Sequence, residues 1–317
     1  MTQAPEALVL TGPTTSGKTA LSVEMARRLR GEVVSMDSRQ VYRGMDIGTD
    51  KVLPGERAGI PHYGVDIVDP DERYSAGKFA RDARRWIREI RGRGHVPVVA
   101  GGTGFFLRAL LQPLFAEPEV DPDRRRRLRR YLAEQETERL ARWARVLDPS
   151  RAEVAAQGGP QRLSRTVEVP LLTGHALSWW HREGAAEAPG VPCAVVVLEI
   201  PREELDRRID ARVGRMVERG FLNEVQGLLE HGYGPDDPGL SATGYREVAQ
   251  ALQGELDLEV ALERMRLQTR QYARRQLTWF RNQLPDHVLR LDARLPLEER
   301  ARQVEAYWTA TQTGEVG

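Results

Sequence analysis

One short loop near the start of the chain has the residues for binding a di- or triphosphate. The segment GPTTSGKT matches the pattern G-x-x-x-x-G-K-[ST] and lies between an apolar run and a helical segment. The glycines of such a loop let consecutive backbone N–H groups point inward, and the following helix N-terminus adds positive potential. Lys18 supplies a cation, and the Thr19 hydroxyl is a predicted Mg²⁺ ligand. The predicted phosphate site consists of Gly12, Pro13, Thr14, Thr15, Ser16, Gly17, Lys18 and Thr19.

The residues beside this loop leave the phosphate compound undefined. An NTPase or kinase usually places an aspartate at the end of a neighbouring apolar strand to hold Mg²⁺. The corresponding segment VPVVA runs instead into Gly101, Gly102 and Thr103, with no acidic residue. Asp37 follows a different strand and has three open interpretations: it orients Mg²⁺, acts as a general base, or caps a helix or turn.

The phosphate loop, Asp37 and Thr103 each follow a predicted strand. Short apolar runs alternate with helical segments, a pattern typical of an α/β fold with a mainly parallel sheet flanked by helices. Ligands bind such sheets at the carboxyl ends of the strands. We therefore predict a P-loop NTPase-like fold in which the three features share one edge. The predicted strands are Ala7–Leu10, Glu32–Met36, Val96–Ala100, Val195–Ile200 and His287–Leu291, and the first predicted helix is Thr19–Leu29.

A change in composition divides the chain into two predicted parts. From residue 117 to 192, Arg- and Glu-rich helical sequence replaces the strands. We interpret this segment as a helical insertion into a catalytic core formed by residues 1–116 and 193–317. The second part of the core continues in four predicted helices, Arg202–Arg219, Phe221–His231, Tyr245–Leu252 and Leu258–Asn282.

Positive charge is concentrated in two segments, although the formal net charge is only +1. Residues 121–151 contain ten arginines and six acidic residues, and residues 264–281 contain six arginines and no acidic residue. In the second segment Arg266, Arg270 and Arg274 recur every four residues and so share a helix face. Such patches indicate either a surface for a polyanion or solvated helix faces, and charge alone does not decide between them.

Composition also limits the class of protein. The sequence has no run of 18 or more apolar residues and no signal-peptide core, so we expect a cytoplasmic protein that does not bind membranes. Cys193 is the only cysteine, which excludes an intramolecular disulfide and a cysteine-based zinc site.

Three further segments are more specific than the phosphate loop. DSRQVYRGMDIGT spans residues 37–49, GGT at 101–103 is followed by FFLRALL, and QRLSR spans 161–165. In order and spacing these segments, together with GPTTSGKT, resemble the tRNA dimethylallyltransferase (tRNA isopentenyltransferase) family of the bacterial type. The resemblance continues through GYRE at 244–247 to RRQLTWFR at 274–281. One departure is Phe105-Phe106, where the family often has a Leu-Tyr pair.

The resemblance implies transfer of a dimethylallyl group from dimethylallyl diphosphate to N6 of the adenosine 3′-adjacent to the anticodon of a tRNA. It implies that the phosphate loop holds the diphosphate with Mg²⁺ and that Asp37 accepts the N6 proton. Thr103 and Arg212 complete the implied catalytic set, with Arg212 holding the leaving diphosphate. The target base must leave its stack, at a cost of a few kcal/mol. The implied tRNA contacts are Asp37, Ser38, Arg39, Gln40, Thr103, Arg125, Gln161, Arg162, Leu163, Ser164 and Arg165.

The family resemblance favours a tRNA-facing strip over a solvated face for Arg270 and Arg274. The expected partner is the anticodon stem-loop of tRNA, and we expect the protein to act as a monomer. The two basic segments would then bind the phosphate backbone of this stem-loop.

Three alternative functions are less consistent with the sequence. A P-loop kinase acting on a small metabolite would explain residues 12–19 but not the missing strand-end aspartate. An adenylate isopentenyltransferase acting on free AMP would not need the basic insertion or the Arg-rich C-terminal helix. A non-catalytic RNA-binding protein would not need Lys18, Thr19, Asp37 and Thr103 together.

Overall fold

A parallel sheet organises the computed structural model, which describes residues 4–115, 120–184, 186–285 and 288–314. The strands are β1 Ala7–Thr11, β2 Gly31–Ser35, β3 His62–Tyr63, β4 Val96–Ala100, β5 Leu114–Phe115, β6 Ala186–Ala188, β7 Cys193–Glu199 and β8 Leu289–Asp292. Six of them form one sheet in the order β3-β2-β4-β1-β7-β8, and each neighbouring pair in it is parallel. The strands β5 and β6 pair antiparallel in a separate two-stranded sheet.

Thirteen α-helices and one short 3₁₀ helix, Pro54–Glu56, accompany these strands in the described ranges. The α-helices are α1 Lys18–Leu29, α2 Ala76–Gly92, α3 Gly104–Leu111, α4 Pro122–Ala133, α5 Thr137–Leu147, α6 Pro149–Gln157, α7 Pro160–Thr173, α8 Leu177–Glu183, α9 Arg202–Glu218, α10 Phe221–Glu230, α11 Tyr245–Leu252, α12 Leu258–Gln283 and α13 Leu297–Thr313. None of these helices combines the length and the apolar character needed to cross a membrane. The longest, α12, begins where the Asp257 carboxylate accepts hydrogen bonds from the first backbone N–H groups.

Apolar residues fill both faces of the sheet, as the alternation of side chains along β1 illustrates. All five residues of β1 are buried. Val9 packs in one core with Phe106, whereas Leu10 packs in a second core with Met25. Because successive side chains of a strand point to opposite faces, a strand covered on both sides is apolar throughout. The P-loop NTPase-like α/β fold predicted from the sequence is confirmed.

The carboxyl ends of β2, β4 and β1 meet at one edge of the sheet. The Thr11 hydroxyl donates to the Gly101 carbonyl oxygen at 2.8 Å, and the Met36 N–H donates to the Ala100 carbonyl oxygen at 2.8 Å. These bonds hold the segments that leave the three strands side by side. The phosphate loop, Asp37 and Thr103 therefore start from adjacent points of the same edge.

Several predicted element boundaries need correction. Strand β2 covers 31–35 rather than 32–36, so Met36 lies beyond the strand, and α1 starts at Lys18, one residue earlier than predicted. Strand β7 covers 193–199 rather than 195–200, and β8 covers 289–292. His287, which the sequence interpretation placed in the last strand, lies outside the described residues. Two- and three-residue strands such as β3, β5 and β6 were not predicted, because so short a segment shows no periodicity.

The chain forms two compact units, one of residues 1–112 and 190–317 and the other of residues 113–189. The sequence interpretation gave the second unit residues 117–192. Within this unit α4–α7 surround an apolar core that includes Leu132, Leu140, Leu163 and Val167. The strands β5 and β6, where this segment begins and ends, form the antiparallel pair.

Candidate active site

The phosphate loop has the alternating backbone conformation of an anion-binding nest. Thr15 and Gly17 have φ values of 63° and 82°, in the left-handed region. Gly12 has φ 150°, and a Cβ atom there would lie 2.7 Å from the Leu198 carbonyl oxygen. Glycine is therefore required at position 12 by close packing and favoured at position 17 by its backbone angle. Such a loop at the N-terminus of α1 directs backbone N–H groups toward a bound anion.

Lys18 lies inside the loop. Its Nζ atom donates to the Pro13 carbonyl oxygen at 2.6 Å and lies 3.4 Å from the Ser16 hydroxyl. Burial lowers the pKa of Lys18 to about 8, against the raising effect of the Asp37 carboxylate, and Arg212 lowers it further. A phosphate anion in the loop would favour the charged form of this lysine.

Arg212 from α9 reaches the same loop. Its Nη1 atom donates to the Thr14 hydroxyl at 2.7 Å and lies 3.6 Å from the Asp50 carboxylate. Asp50 also lies 3.7 Å from Arg219 and adopts φ 54°, an unusual angle for a residue with a side chain. Two arginines therefore flank Asp50 beside the phosphate loop and its Lys18, an arrangement of cations suited to a multiply charged anion.

Asp37 and Thr103 stand next to the loop, at the ends of β2 and β4. The Asp37 Oδ1 atom accepts the Arg39 N–H at 2.8 Å, and the Thr103 hydroxyl oxygen accepts the Ser38 N–H at 3.1 Å. Among the described residues Asp37 Oδ2 has no hydrogen-bond partner. Tyr272 from α12 lies beside both, and burial, followed by the Asp37 charge, raises the pKa of its phenol to about 12. Asp37 thus keeps one carboxylate oxygen available as a proton acceptor.

Gln276 joins the phosphate loop to the segment after β4. Its Oε1 atom accepts the Thr14 N–H at 3.0 Å, and its Nε2 atom donates to the Gly102 carbonyl oxygen at 2.7 Å. A Cβ atom on Gly102 would lie 2.3 Å from Nε2, so only glycine permits this approach. Buried polar side chains need such partners, and Gln276 is buried. The amide therefore fixes the spacing between the two loops.

Glu224 from α10 holds the loop that follows Gln40. Its carboxylate accepts the N–H groups of Asp46, Ile47 and Gly48 at 2.8, 2.6 and 3.1 Å. It also accepts the Tyr245 hydroxyl at 2.6 Å. The Gln40 amide donates to the carbonyl oxygen of Asp50 at 3.2 Å, from the opposite side of the same loop. These bonds position Asp50 and its two arginines.

One cavity of about 710 Å³ lies between many of these groups, and all its lining residues belong to the unit formed by residues 1–112 and 190–317. Its walls include Lys18, Asp37, Gln40, Arg212, Tyr272 and Gln276. The predicted site residues Ser38 and Thr103 are not among its lining residues and bond to each other beside Asp37. The cavity presents a cationic end and a carboxylate to the same space, which fits a reaction that releases an anion and a proton.

The long helix α12 contributes both ion-paired arginines and residues of the cavity wall. Arg270 Nη2 lies 2.6 Å from both oxygens of Asp210, and Arg274 Nη2 lies 3.1 Å from Asp206. Both guanidinium groups therefore pair with α9. Arg275, which the sequence interpretation did not select, lines the cavity. Met265, Thr269, Tyr272 and Gln276 of the same helix also line the cavity.

Two of the predicted tRNA contacts in the second unit, Arg125 and Arg165, lie beside a buried carboxylate. Glu168 is 3% exposed and lies 3.0 Å from Arg129, 3.2 Å from Arg165 and 3.8 Å from Arg125. Gln161 and Arg162 are exposed, and Ser164 is half-buried. The prediction that Leu163 contacts tRNA needs correction for its side chain, which is fully buried because it belongs to the apolar face of α7.

Residues of the site that sequence reasoning missed include Asp50, Glu224, Tyr272 and Gln276. The four-residue spacing of Tyr272 and Gln276 on α12 favours a packing face, yet a polar amide on such a face signals buried hydrogen-bond partners. No periodicity marks Glu224, since its partners are backbone groups 176 to 178 residues earlier in the chain.

The parallel sheet and the G-x-x-x-x-G-K-T loop between β1 and α1 define a protein of the P-loop NTPase-like class. The sequence matches the family described as IPP transferase over residues 40–283 and the one described as isopentenyl transferase over residues 5–61. Over 275 residues it is 46% identical to the tRNA dimethylallyltransferase of Thermomicrobium roseum, covering 86% of this chain and 83% of the relative. The chain belongs to the tRNA dimethylallyltransferase family of prenyltransferases, as the sequence resemblance predicted.

Other relatives agree with this assignment. The tRNA dimethylallyltransferase of Staphylococcus carnosus is 38% identical over 284 residues, covering 88% of this chain and 89% of the relative. A tRNA delta(2)-isopentenylpyrophosphate transferase from Staphylococcus epidermidis has a similar crystal structure, with a TM-score of 0.67, 35% identity and coverage of 95% and 97% of the two chains. A eukaryotic dimethylallyltransferase acting on tRNA has a TM-score of 0.77 and 31% identity, covering 94% of this chain and 76% of its own.

Proposed function

We propose that the protein transfers a dimethylallyl group from dimethylallyl diphosphate to N6 of the adenosine 3′-adjacent to the anticodon of tRNA. The observation that carries this proposal is a shared cavity lined by both Asp37 and the cationic phosphate loop. Membership of the tRNA dimethylallyltransferase family supports the choice of donor and acceptor. A kinase is disfavoured, because β4 ends at Gly101-Gly102-Thr103 rather than at an aspartate.

The cationic end of the cavity suits the leaving group. When the allylic C–O bond breaks, its electron pair leaves with the diphosphate, and negative charge increases there. Lys18, Arg212 and the inward N–H groups of the loop are already in place to stabilise this charge. Because the donors are positioned before the reaction, little free energy is spent on reorganising them.

The carboxylate suits the acceptor. An exocyclic adenine amine is a weak nucleophile, since its lone pair is delocalised into the ring. As N6 forms a bond to C1 of the dimethylallyl group, its N–H becomes acidic and passes a proton to Asp37 Oδ2. General-base assistance of this kind contributes ~10²–10⁴-fold to a rate. Thr103, bonded to Ser38 beside Asp37, positions the adenosine.

Mg²⁺ is the expected cofactor. When bound, it would neutralise part of the diphosphate charge. The Thr19 hydroxyl, exposed in the first turn of α1, fits a Mg²⁺ that takes most of its ligands from phosphate oxygens and water. Consistently, the described residues contain no cluster of three His, Cys, Asp or Glu side chains able to hold a metal by themselves.

The basic residues would bind the anticodon stem-loop. Arg125, Gln161, Arg162, Ser164 and Arg165 are assigned to this contact in the second unit, with Ser38, Arg39 and Gln40 near the extruded base. For Arg270 and Arg274, a phosphate would have to share or displace the carboxylates of Asp210 and Asp206. A cytoplasmic monomer acting on free tRNA completes the proposal.

The decisive experiment supplies purified protein with tRNA, Mg²⁺ and dimethylallyl diphosphate, then identifies the prenylated nucleoside by mass spectrometry after digestion. We expect N6-dimethylallyladenosine at the position 3′ of the anticodon and no product with free AMP. A second arm replaces the donor with ATP carrying a labelled γ-phosphate. Prenylation of AMP instead of tRNA, or phosphorylation of a small metabolite, would contradict the proposal.

A further inference from the structure

The C-terminal helix α13 packs directly behind the phosphate loop. Ala301 and Val304 are fully buried in the same apolar core as Leu21 of α1. Arg28 of α1 pairs with Glu298 at 2.6 Å and with Glu305 at 3.1 Å. Apolar packing and two ion pairs therefore fix the position of α13 relative to the helix that begins at the phosphate loop.

Arg300 extends from this helix to the outer side of the loop. Its side chain is buried, and Nη1 lies 3.5 Å from the Ser16 carbonyl oxygen. A Cβ atom on Gly17 would lie 2.9 Å from the same Nη1 atom, so the guanidinium group rests against the bare Cα of this glycine. The C=O and N–H groups of a trans peptide point in opposite directions. A donor that holds the Ser16 carbonyl outward therefore directs the Gly17 N–H inward.

In the part of the chain that the structure describes, no acidic side chain pairs with the charge of Arg300. Among the described residues Arg300 forms no ion pair, and its Nε atom has no hydrogen-bond partner. The neighbouring Arg208, whose Nη1 lies 3.5 Å from the Thr15 carbonyl oxygen, does have a partner in Glu204 at 2.7 Å. Burial and the charge of Arg208 both lower the pKa of Arg300. A buried cation without a counterion is costly, and an anion in the loop would offset that cost.

We propose that Arg300 is a positioning residue for diphosphate binding: it fixes the Ser16–Gly17 peptide and places a buried positive charge behind the bound anion. The inference rests on the proposed function, since it requires that the loop binds a diphosphate. Arg300 acts through the loop and does not touch the reacting atoms. Its loss should therefore weaken diphosphate binding and leave the rate at saturation nearly unchanged.

The test compares Arg300→Met with Arg302→Met, a matched change on the same helix at a side chain that is 65% exposed and paired with Glu299. Binding of inorganic pyrophosphate is measured by titration calorimetry, and KM for dimethylallyl diphosphate is measured separately from kcat. We expect Arg300→Met to raise both Kd and KM by ~10-fold, the effect of losing one charged hydrogen-bonding group. The kcat value should change less than about twofold. Arg302→Met should match the wild type, and Arg300→Lys should recover part of the affinity.

Each outcome separates this inference from the proposed function. If the wild type binds pyrophosphate and Arg300→Met binds it equally well, Arg300 serves only the packing of α13 and the inference is wrong. A fall in kcat without a change in Kd would also overturn it. If the wild type itself binds no pyrophosphate, the proposed function fails first. Should Arg300→Met not fold, Arg300→Gln carries the same expectation with a polar side chain.

Discussion

Arg212 and Thr14 are joined by a hydrogen bond of 2.7 Å between Nη1 and Oγ1, so helix α9 and the phosphate loop meet at one charged group. Thr14 in turn donates its N–H to Gln276 of α12. Thr14 is thus held by side chains from two helices, α9 and α12, which both lie far from the phosphate loop in the sequence. The contributions of Arg212 and Gln276 to activity can be measured separately by replacing each residue in turn.

Replacing Arg212 should impair the chemical step. We expect Arg212→Met to lower single-turnover rates at saturating substrates by ~10²–10³-fold, because a preorganised cation at the leaving diphosphate is lost. Arg207→Met is the control, since Arg207 lies on the same helix and is 77% exposed. A loss of less than about threefold would mean that Arg212 shapes the loop without stabilising the leaving group.

Replacing Asp37 should abolish general-base assistance while preserving shape. Asp37→Asn should lower kcat by ~10²–10⁴-fold with tRNA affinity nearly unchanged, because the amide cannot accept the N6 proton as a carboxylate does. Asp236→Asn, at a fully exposed aspartate, is the matched control. If kcat fell less than about tenfold, Asp37 would be a positioning or capping residue instead.

Pyrophosphate binding should weaken as the pH rises through the pKa of Lys18, which is about 8. Below this pH Lys18 is already charged, and its charge contributes fully to pyrophosphate affinity. Above it, binding requires uptake of a proton, so affinity should fall by up to ~10-fold per pH unit. Arg stays charged throughout, and the ratio of wild-type to Lys18→Arg affinity removes the titration of pyrophosphate itself. A ratio that is constant from pH 7 to pH 10 would show that Lys18 remains charged.

Removing the amide of Gln276 should affect stability as well as activity. Gln276→Leu leaves the Thr14 N–H and the Gly102 carbonyl oxygen without this partner, and we expect the free energy of unfolding to fall by ~1–3 kcal/mol. The same substitution should also raise KM for dimethylallyl diphosphate. Urea denaturation compares this variant with Gln226→Leu, an exposed glutamine on α10. If the two variants are equally stable, the hydrogen bonds of Gln276 to Thr14 and Gly102 do not contribute to the free energy of unfolding.

The tRNA-facing role of Arg270 and Arg274 predicts a specific salt dependence. Replacing both with Gln should flatten the slope of log K for tRNA against log salt by ~1.5 units, for two phosphate contacts. Arg125→Ala tests the corresponding contact in the second unit, and Arg302→Gln is a control at an exposed arginine. If the plots of log K against log salt for the double variant and the wild type are parallel, neither arginine contacts a tRNA phosphate, and both serve only in their ion pairs with Asp210 and Asp206.

Local sequence was sufficient to predict which segments meet at the edge of the sheet. The phosphate loop and the strand ends at Asp37 and Thr103 follow from a motif and from strand–helix alternation, and the sheet brings them to one edge. Glu224 and Gln276 could not be placed in this way, because their partners lie far away in the sequence. The orientation of α12 was equally undetermined. A repeat of arginines shows that these residues share a helix face, but it does not show which helix lies next to that face. In the structure the neighbouring helix is α9, whose Asp206 and Asp210 pair with Arg274 and Arg270.

The division of the larger unit into 1–112 and 190–317 has a consequence for synthesis on the ribosome. Strand β1 lies between β4 and β7, and β7 begins only at Cys193. At a translation rate of ~5–20 residues per second, roughly 5–20 s pass between the synthesis of β4 and the synthesis of β7. Throughout this interval β1 lacks its neighbour β7. During this interval one edge of an apolar strand stays open to other chains. The nascent protein therefore passes through a stage in which chaperone protection matters more than it does for the finished molecule.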